Sequence, residues 1–228
     1  MSKILIVPGL NGSGPSHWQS WFEQKLPNTL RVEQSDWSDP YLPRWAGAVR
    51  HELDRAKGHV WIIAHSFGCL AAAHAASDYR DKIAGVMFVA PADPEKFEVT
   101  DMLPTQRLGF PSVVVASSTD PWMRLTAAAY WADLWGSRLI SIGNAGHINS
   151  ESGFGPWPDG LAIFEQLRRT QSDLPLGSLD PDFRFPACQT SGLKRKQNAL
   201  KKRLAQNWKQ WMHGLSADDF ETKPVSAD

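Results

Sequence analysis

The 228-residue sequence predicts a doubly wound α/β domain, a mostly parallel sheet with helices on both faces. Two observations carry this. Short apolar, β-rich runs alternate with segments of helical periodicity from the N-terminus to about residue 170. The third of these runs is apolar throughout, as a parallel strand covered on both faces requires.

The first strand is expected over residues 3–8 (KILIVP), ended by Pro8-Gly9. Residues 16–26 place Trp18, Trp21, Phe22 and Leu26 at helical spacing, with Ser16 as N-cap. A short strand over 30–34 follows. Residues 43–56 put Trp45, Val49 and Leu53 on one helical face, with proline at the start. The third strand covers 59–64, and an alanine-rich helix covers 67–77. Strands are expected over 83–90, 111–116 and 138–142, with helices over 122–134 and 158–169. The chain has no internal repeat.

Composition changes near Thr170, so the α/β domain is expected to span residues 1–170. Residues 171–190 are rich in Pro, Ser, Asp and Gly and read as a linker or wrap-around segment. Residues 191–212 carry seven Lys/Arg and no acidic residue, with Leu193, Leu200, Leu204, Trp208, Trp211 and Met212 near one helical face. Residues 191–228 are therefore expected to form a basic amphipathic helix and an acidic tail.

Hydrophobic residues make up 42%, enough for a packed core, which excludes wholesale disorder. Lys+Arg and Asp+Glu are equal at 24 each, so overall charge points to neither nucleic acid nor an anionic membrane. Residues 191–213 are the one segment suited to nucleic acid or an acidic surface; their plainer reading is a solvated helix. No apolar run approaches the ~20 residues of a membrane span. The N-terminal run is too short for a signal peptide. The two cysteines, Cys69 and Cys188, lie far apart and form no disulfide framework. Cys69 is expected as a small buried apolar group, and the protein as cytoplasmic.

The stretch Ala64-His65-Ser66-Phe67-Gly68 lies between an apolar strand and a helix. That is the layout of a nucleophile elbow, G-x-S-x-G, with Ala64 in place of the first glycine. Small residues are needed two before and two after the serine because neighbouring backbone passes close by. Alanine, one methyl larger, respects that requirement. Ser66 has two readings, a nucleophile or a helix N-cap.

A nucleophilic serine needs a base and an orienting acid, in the chain order Ser, Asp/Glu, His. Of the seven histidines, only His147 and His213 follow Ser66 outside its own helix region, and His213 lies in the basic tail. His147 sits in a Gly-rich loop just after the 138–142 strand, where open α/β sheets carry their ligands. Asp120 follows the preceding strand and is the first candidate acid; its other reading is a helix cap. Asp93, after the fourth strand, is the second candidate acid.

An oxyanion hole needs two backbone N–H donors. Phe67 supplies one by position. The other is expected from the loop after the first strand, at Leu10, with Asn11 next. That loop lacks the G-K-[ST] ending of a P-loop, and G-x-G-x-x-G is absent, so no nucleotide is expected. No metal or other cofactor is expected either.

Three stretches resemble the small α/β-hydrolase-fold serine hydrolases of the YdeN and retinoblastoma-binding protein 9 type. They are Val7-Pro8-Gly9 with His17-Trp18, His65-Ser66-Phe67-Gly68, and Gly146-His147-Ile148-Asn149 running into Gly153-Phe154-Gly155-Pro156-Trp157-Pro158. The resemblance covers about residues 1–170. It implies a compact hydrolase without a large lid, a triad at Ser66, Asp120 and His147, and esterase activity on small esters. The basic tail departs from it. The expected substrate is a small ester or amide. Among the eleven tryptophans, Trp18, Trp37, Trp122 and Trp157 lie near predicted loop ends and are candidates to line the cleft, with Asn11 and His65. Trp45, Trp61 and Trp131 are expected in the core. Because fold does not determine function, a catalytically silent binding module on the same scaffold is the second reading.

Overall fold

The structure, a computed structural model, describes residues 2–172. The expected basic helix and tail over 191–228, and all of the expected linker beyond residue 172, lie outside the described residues.

Six strands form one parallel sheet: β1 (Lys3–Val7), β2 (Thr29–Arg31), β3 (Val60–His65), β4 (Ile83–Val89), β5 (Ser112–Ala116) and β6 (Arg138–Ser141). Five helices connect or follow them: α1 (Trp18–Lys25), α2 (Leu42–Arg55), α3 (Phe67–Ala76), α4 (Leu125–Trp135) and α5 (Pro158–Ser172). The fold class is the expected one. Its strand order is β2-β1-β3-β4-β5-β6. The chain steps outward from β1 to β2, then returns to lay β3 on the other side of β1. The carboxyl ends of β1 and β3 therefore flank the switch in direction, where open α/β sheets form their crevice.

The apolar runs divide between the two faces at period two. Leu5, Val7, Ile62, Ala64, Val86, Phe88 and Val114 share one buried cluster with α2, α3 and α4. Ile4, Ile6, Trp61, Ile63, Met87 and Val113, at the alternate positions, are equally buried. On that side Trp61 meets Phe164 of α5 edge-on at 5.9 Å, and Trp18 of α1 meets Trp157 at 5.3 Å. Trp45, Trp61 and Trp131 are core residues, as expected.

Two helix starts differ from the sequence reading. The N-cap of α1 is His17, not Ser16: its extended backbone and the Nδ1 acceptor for the Gln19 amide make the cap. Helix α4 begins at Leu125 rather than at residue 122, because the Asp120 carboxylate accepts the Trp122 amide at 2.8 Å and holds that stretch as a turn. No helix among the described residues is long and apolar enough to cross a membrane.

Between β3 and β4 the register slips at Val60/Trp61, which brings Trp61 opposite Gly85. The indole fills the space a side chain at 85 would take: a Cβ there would lie 2.5 Å from Trp61 Cζ3 and 2.8 Å from the Pro111 carbonyl oxygen. Gly85→Ala should cost about 1–3 kcal/mol of stability by overpacking, read as a lower midpoint in chemical denaturation. An unchanged midpoint would show that this face of the sheet yields freely.

Candidate active site

The site grows out of the turn between β3 and α3. Ser66 has φ 52° and ψ −125°, a left-handed backbone that a non-glycine residue holds only when its surroundings force it. Those surroundings are the neighbouring strand ends. The Ser66 amide donates to the Val89 carbonyl at 3.1 Å, at the end of β4. A Cβ on Gly9 would lie 2.6 Å from Ser66 Cβ, and one on Gly68 would lie 2.6 Å from the Val7 carbonyl oxygen and nearer still to that of Pro8. Both glycines are needed for close approach. Ala64 is fully buried, paired with Val7 and Phe88, so the sheet accommodates its methyl group.

Although Ser66 stands at the N-cap position of α3, its side chain makes no capping bond. Its Oγ lies 2.8 Å from His147 Nε2. His147 Nδ1 faces both oxygens of Asp120, at 2.9 and 3.0 Å. The carboxylate can only accept, so the His147 proton sits on Nδ1 and Nε2 is left to accept from the Ser66 hydroxyl. The Asp120 side chain is 2% exposed and that of His147 10%. Asp120 is thus sealed behind the ring, fixed by the Trp122 amide. Asp93, the other candidate acid, spends its carboxylate on the Glu95 amide at 3.2 Å as the cap of a short 3₁₀ turn.

The loops that carry Asp120 and His147 are tied together. Ser117 Oγ accepts from the Thr119 and Ala145 amides, and Thr119 Oγ1 donates to Asn144 and accepts from the Gly146 amide. The His147 amide donates to Ser152 Oγ at 3.1 Å, and Ser152 is clamped by the Asn149 carboxamide. Of these hydroxyl and amide partners only Asn149 lies in a stretch that stands out in the sequence. Gln19 is a further partner: its Oε1 accepts from Ser13 Oγ, and its Nε2 donates to the Val7 and Ile63 carbonyls. Its signal was legible, since Gln19, Phe22 and Leu26 share one buried helical stripe on which the glutamine is the sole polar residue.

Around the loop after β1, the Asn11 amide donates to the Trp37 carbonyl at 2.9 Å. Among the described residues no acceptor takes the Leu10 or Phe67 amides. Trp122 is 49% exposed, with its ring 6.3 Å from that of His147 and the Lys96 ammonium 5.5 Å above it. Trp37 is half-buried against Gly12 and Trp45. Three expected cleft residues lie elsewhere. Trp18, at the start of α1, and Trp157, just before α5, are buried and packed on each other and on Phe22, so neither ring is left to the cleft. His65 is buried behind His147 and gives its Nε2 to the His147 carbonyl at 3.0 Å.

Burial governs the charge state of the inner histidines. Loss of hydration, helped by Arg31 and His147, lowers His17 from 6.5 to about 4. Desolvation, then His17 and His147, hold His65 well below its ordinary value. Cys69 is buried and its thiol pushed up by desolvation, so it stays an unreactive apolar group as expected. Among the described residues no group of three or more His, Cys, Asp or Glu is placed to hold a metal ion.

Fold and site together define a class, the α/β hydrolases. The chain belongs to the serine hydrolase family, whose profile matches residues 4–166. Among solved structures it is similar to a YdeN-like hydrolase from Pectobacterium atrosepticum, with 43% identity and a TM-score of 0.72 over 75% of this chain and 92% of that one. The ydeN gene product of B. subtilis matches at 17% identity and a TM-score of 0.64, over 73% of this chain and 98% of that one. Est1E from Butyrivibrio proteoclasticus, in its complex with ferulic acid, matches at 15% identity and 0.57, over 75% and 88%. The last two show the fold alone. No curated protein matches the chain. Family membership and the first of these structures make the protein a hydrolase.

The buried neutral histidines give stability a pH dependence with a definite sign. The unfolded chain binds protons at His17 below about 6.5, the folded chain only near 4, so acid favours unfolding within that window. The melting temperature should fall as pH is lowered from 7 to 5, and His17→Asn, which retains a capping side chain, should flatten that slope. A melting temperature independent of pH across this range in the wild type would contradict it.

Proposed function

We propose that the protein is a carboxylesterase-like serine hydrolase that cleaves a small ester through an acyl-enzyme on Ser66. The observation that carries this reading is the 2.8 Å contact between Ser66 Oγ and His147 Nε2, with Asp120 closing the chain behind the ring. In this mechanism Ser66 Oγ attacks the ester carbonyl carbon while His147 Nε2 takes the hydroxyl proton. The carbonyl oxygen becomes an oxyanion facing the Phe67 and Leu10 amides. The bond of the Asn11 amide to the Trp37 carbonyl supports Leu10 over Asn11 as the second donor. The intermediate collapses, the C–O bond to the leaving group breaks, and His147 returns its proton to that alkoxide. Water then attacks the acyl-serine with its proton going to Nε2, and collapse releases the acid and restores the Ser66 hydroxyl. Asp120 stays ionised throughout, keeping the proton on Nδ1 and stabilising the imidazolium.

The indole of Trp122, exposed beside His147, supports a flat apolar wall for an aromatic or acyl group of the substrate. An amide is the harder variant of the same chemistry. The small-molecule substrate and a cytoplasmic place of action belong to this proposal. A protein that binds ester ligands but leaves them intact would instead be a silent module on the same scaffold.

Hydrolysis of p-nitrophenyl acetate tests the assignment. Ser66→Ala and His147→Ala should each lower kcat by about 10⁴–10⁶, and Asp120→Asn by about 10⁴. Wild-type turnover in Asp120→Asn would move the acid role to Asp93; wild-type turnover in Ser66→Ala would end the proposal.

A further inference from the structure

Residues His147 and Ile148 form an unusual piece of backbone. Gly146 and Ile148 have φ of 53° and 49°, and a β-branched residue in the left-handed region is a genuine outlier. Ile148 is fully buried in the turn that presents His147 to Ser66. Such a conformation persists only where its neighbours over-determine it.

Two ring N–H groups from beneath the loop do so. His65 Nε2 lies 3.0 Å from the His147 carbonyl oxygen, and Trp18 Nε1 donates to the next carbonyl, that of Ile148, at 2.8 Å. A carbonyl can only accept, so the His65 proton is on Nε2. Both rings are themselves fixed. Trp18 is packed edge-on against Phe22, Trp157 and His65, with ring centroids 4.9, 5.3 and 5.9 Å away. His65 stands between the rings of His17 and His147, at 4.9 and 5.0 Å. His65 is also the residue before Ser66. One turn therefore positions the serine hydroxyl and, through its preceding side chain, the backbone of the histidine that meets it.

We infer that His65 and Trp18 are positioning residues for His147: two buried ring donors that hold consecutive carbonyls of the strained base loop and so set its distance from Ser66. This rests on the reading of His147 as the general base. Neither ring is a substrate contact, since both lie beneath the loop. Neutral rings suit the role, because a cation there would oppose the charge His147 gains during turnover. His17, the other titratable group on His65, is itself held neutral, and Arg31 is the cation that acts on His17.

The test compares His65→Leu, His65→Gln and Trp18→Phe with the wild type. The readouts are kcat and KM for p-nitrophenyl acetate, with active sites counted by fluorophosphonate titration so that only competent protein is scored. Loss of either donor should lower kcat per site by about 10–100-fold, the cost of a misplacement on the order of 1 Å, with KM within about twofold. His65→Gln, whose side-chain N–H can reach the same carbonyl, should recover to within about fivefold of wild type. A purely structural role would lower the melting temperature and leave kcat per site unchanged. Unchanged kcat in His65→Leu, or a glutamine variant no better than the leucine variant, would overturn the inference. If His65→Leu lacks a folded circular dichroism spectrum, Trp18→Phe, which keeps an aromatic ring, decides by the same kcat criterion. A wild type that neither turns over nor titrates would refute the base reading itself, and the inference with it.

Discussion

The structure depends on one close contact, the packing of the Ser66 turn between the ends of two neighbouring strands. The turn needs a positive φ at a residue that disfavours it, and the fold supplies the constraint from both sides. Gly9 at the end of β1 lies so near that any side chain would strike Ser66, and Val89 at the end of β4 takes its amide. Gly68 lets the first turn of α3 sit directly on the Val7 and Pro8 carbonyls. This packing exists because the strand order reverses at β1. The loop after β1 is freed to run beside the elbow, with Gly9 against Ser66.

The other two parts of the site are held at that turn by polar atoms as well as by the burial of Ile148. Loops at the ends of β5 and β6 lie side by side because their strands do, and Ser117 and Thr119 tie them with side-chain bonds to backbone. His147 is then held at its amide by Ser152 and at its carbonyl by His65. Buried polar groups of this kind are costly unless satisfied, and satisfied they define a single arrangement. The inner histidines belong to the same logic. Burial keeps them neutral, so each has one ring donor and one acceptor, and the donor of His65 is spent on the loop.

The fold was largely legible in the sequence because it rests on periodicity. Fully apolar runs such as residues 60–64 and 83–90 predict covered parallel strands, and the stripe at Trp45, Val49 and Leu53 predicts a packed helix; all appear. The placement of Asp120 and His147 at successive strand ends followed from chain order. What the sequence could not show was direction. Trp18 and Trp157 sit near loop ends in the chain, yet their rings turn inward, and the partner of Trp18 Nε1 is 130 residues away. His65 is among the expected cleft residues; in the turn its ring meets the His147 backbone carbonyl, whereas the Ser66 hydroxyl meets the His147 ring. Helix starts were misplaced where a side chain, His17 or Asp120, takes an amide that the periodic pattern does not register.

The central claim is that Ser66 is a nucleophile activated by His147. A fluorophosphonate reacts covalently with such a serine and spares an ordinary hydroxyl. Treating the folded protein and mapping the modified peptide by mass spectrometry tests the claim most directly. The account predicts one adduct per chain, on Ser66, abolished in His147→Ala. An unmodified protein, or an adduct on any other residue, would contradict it.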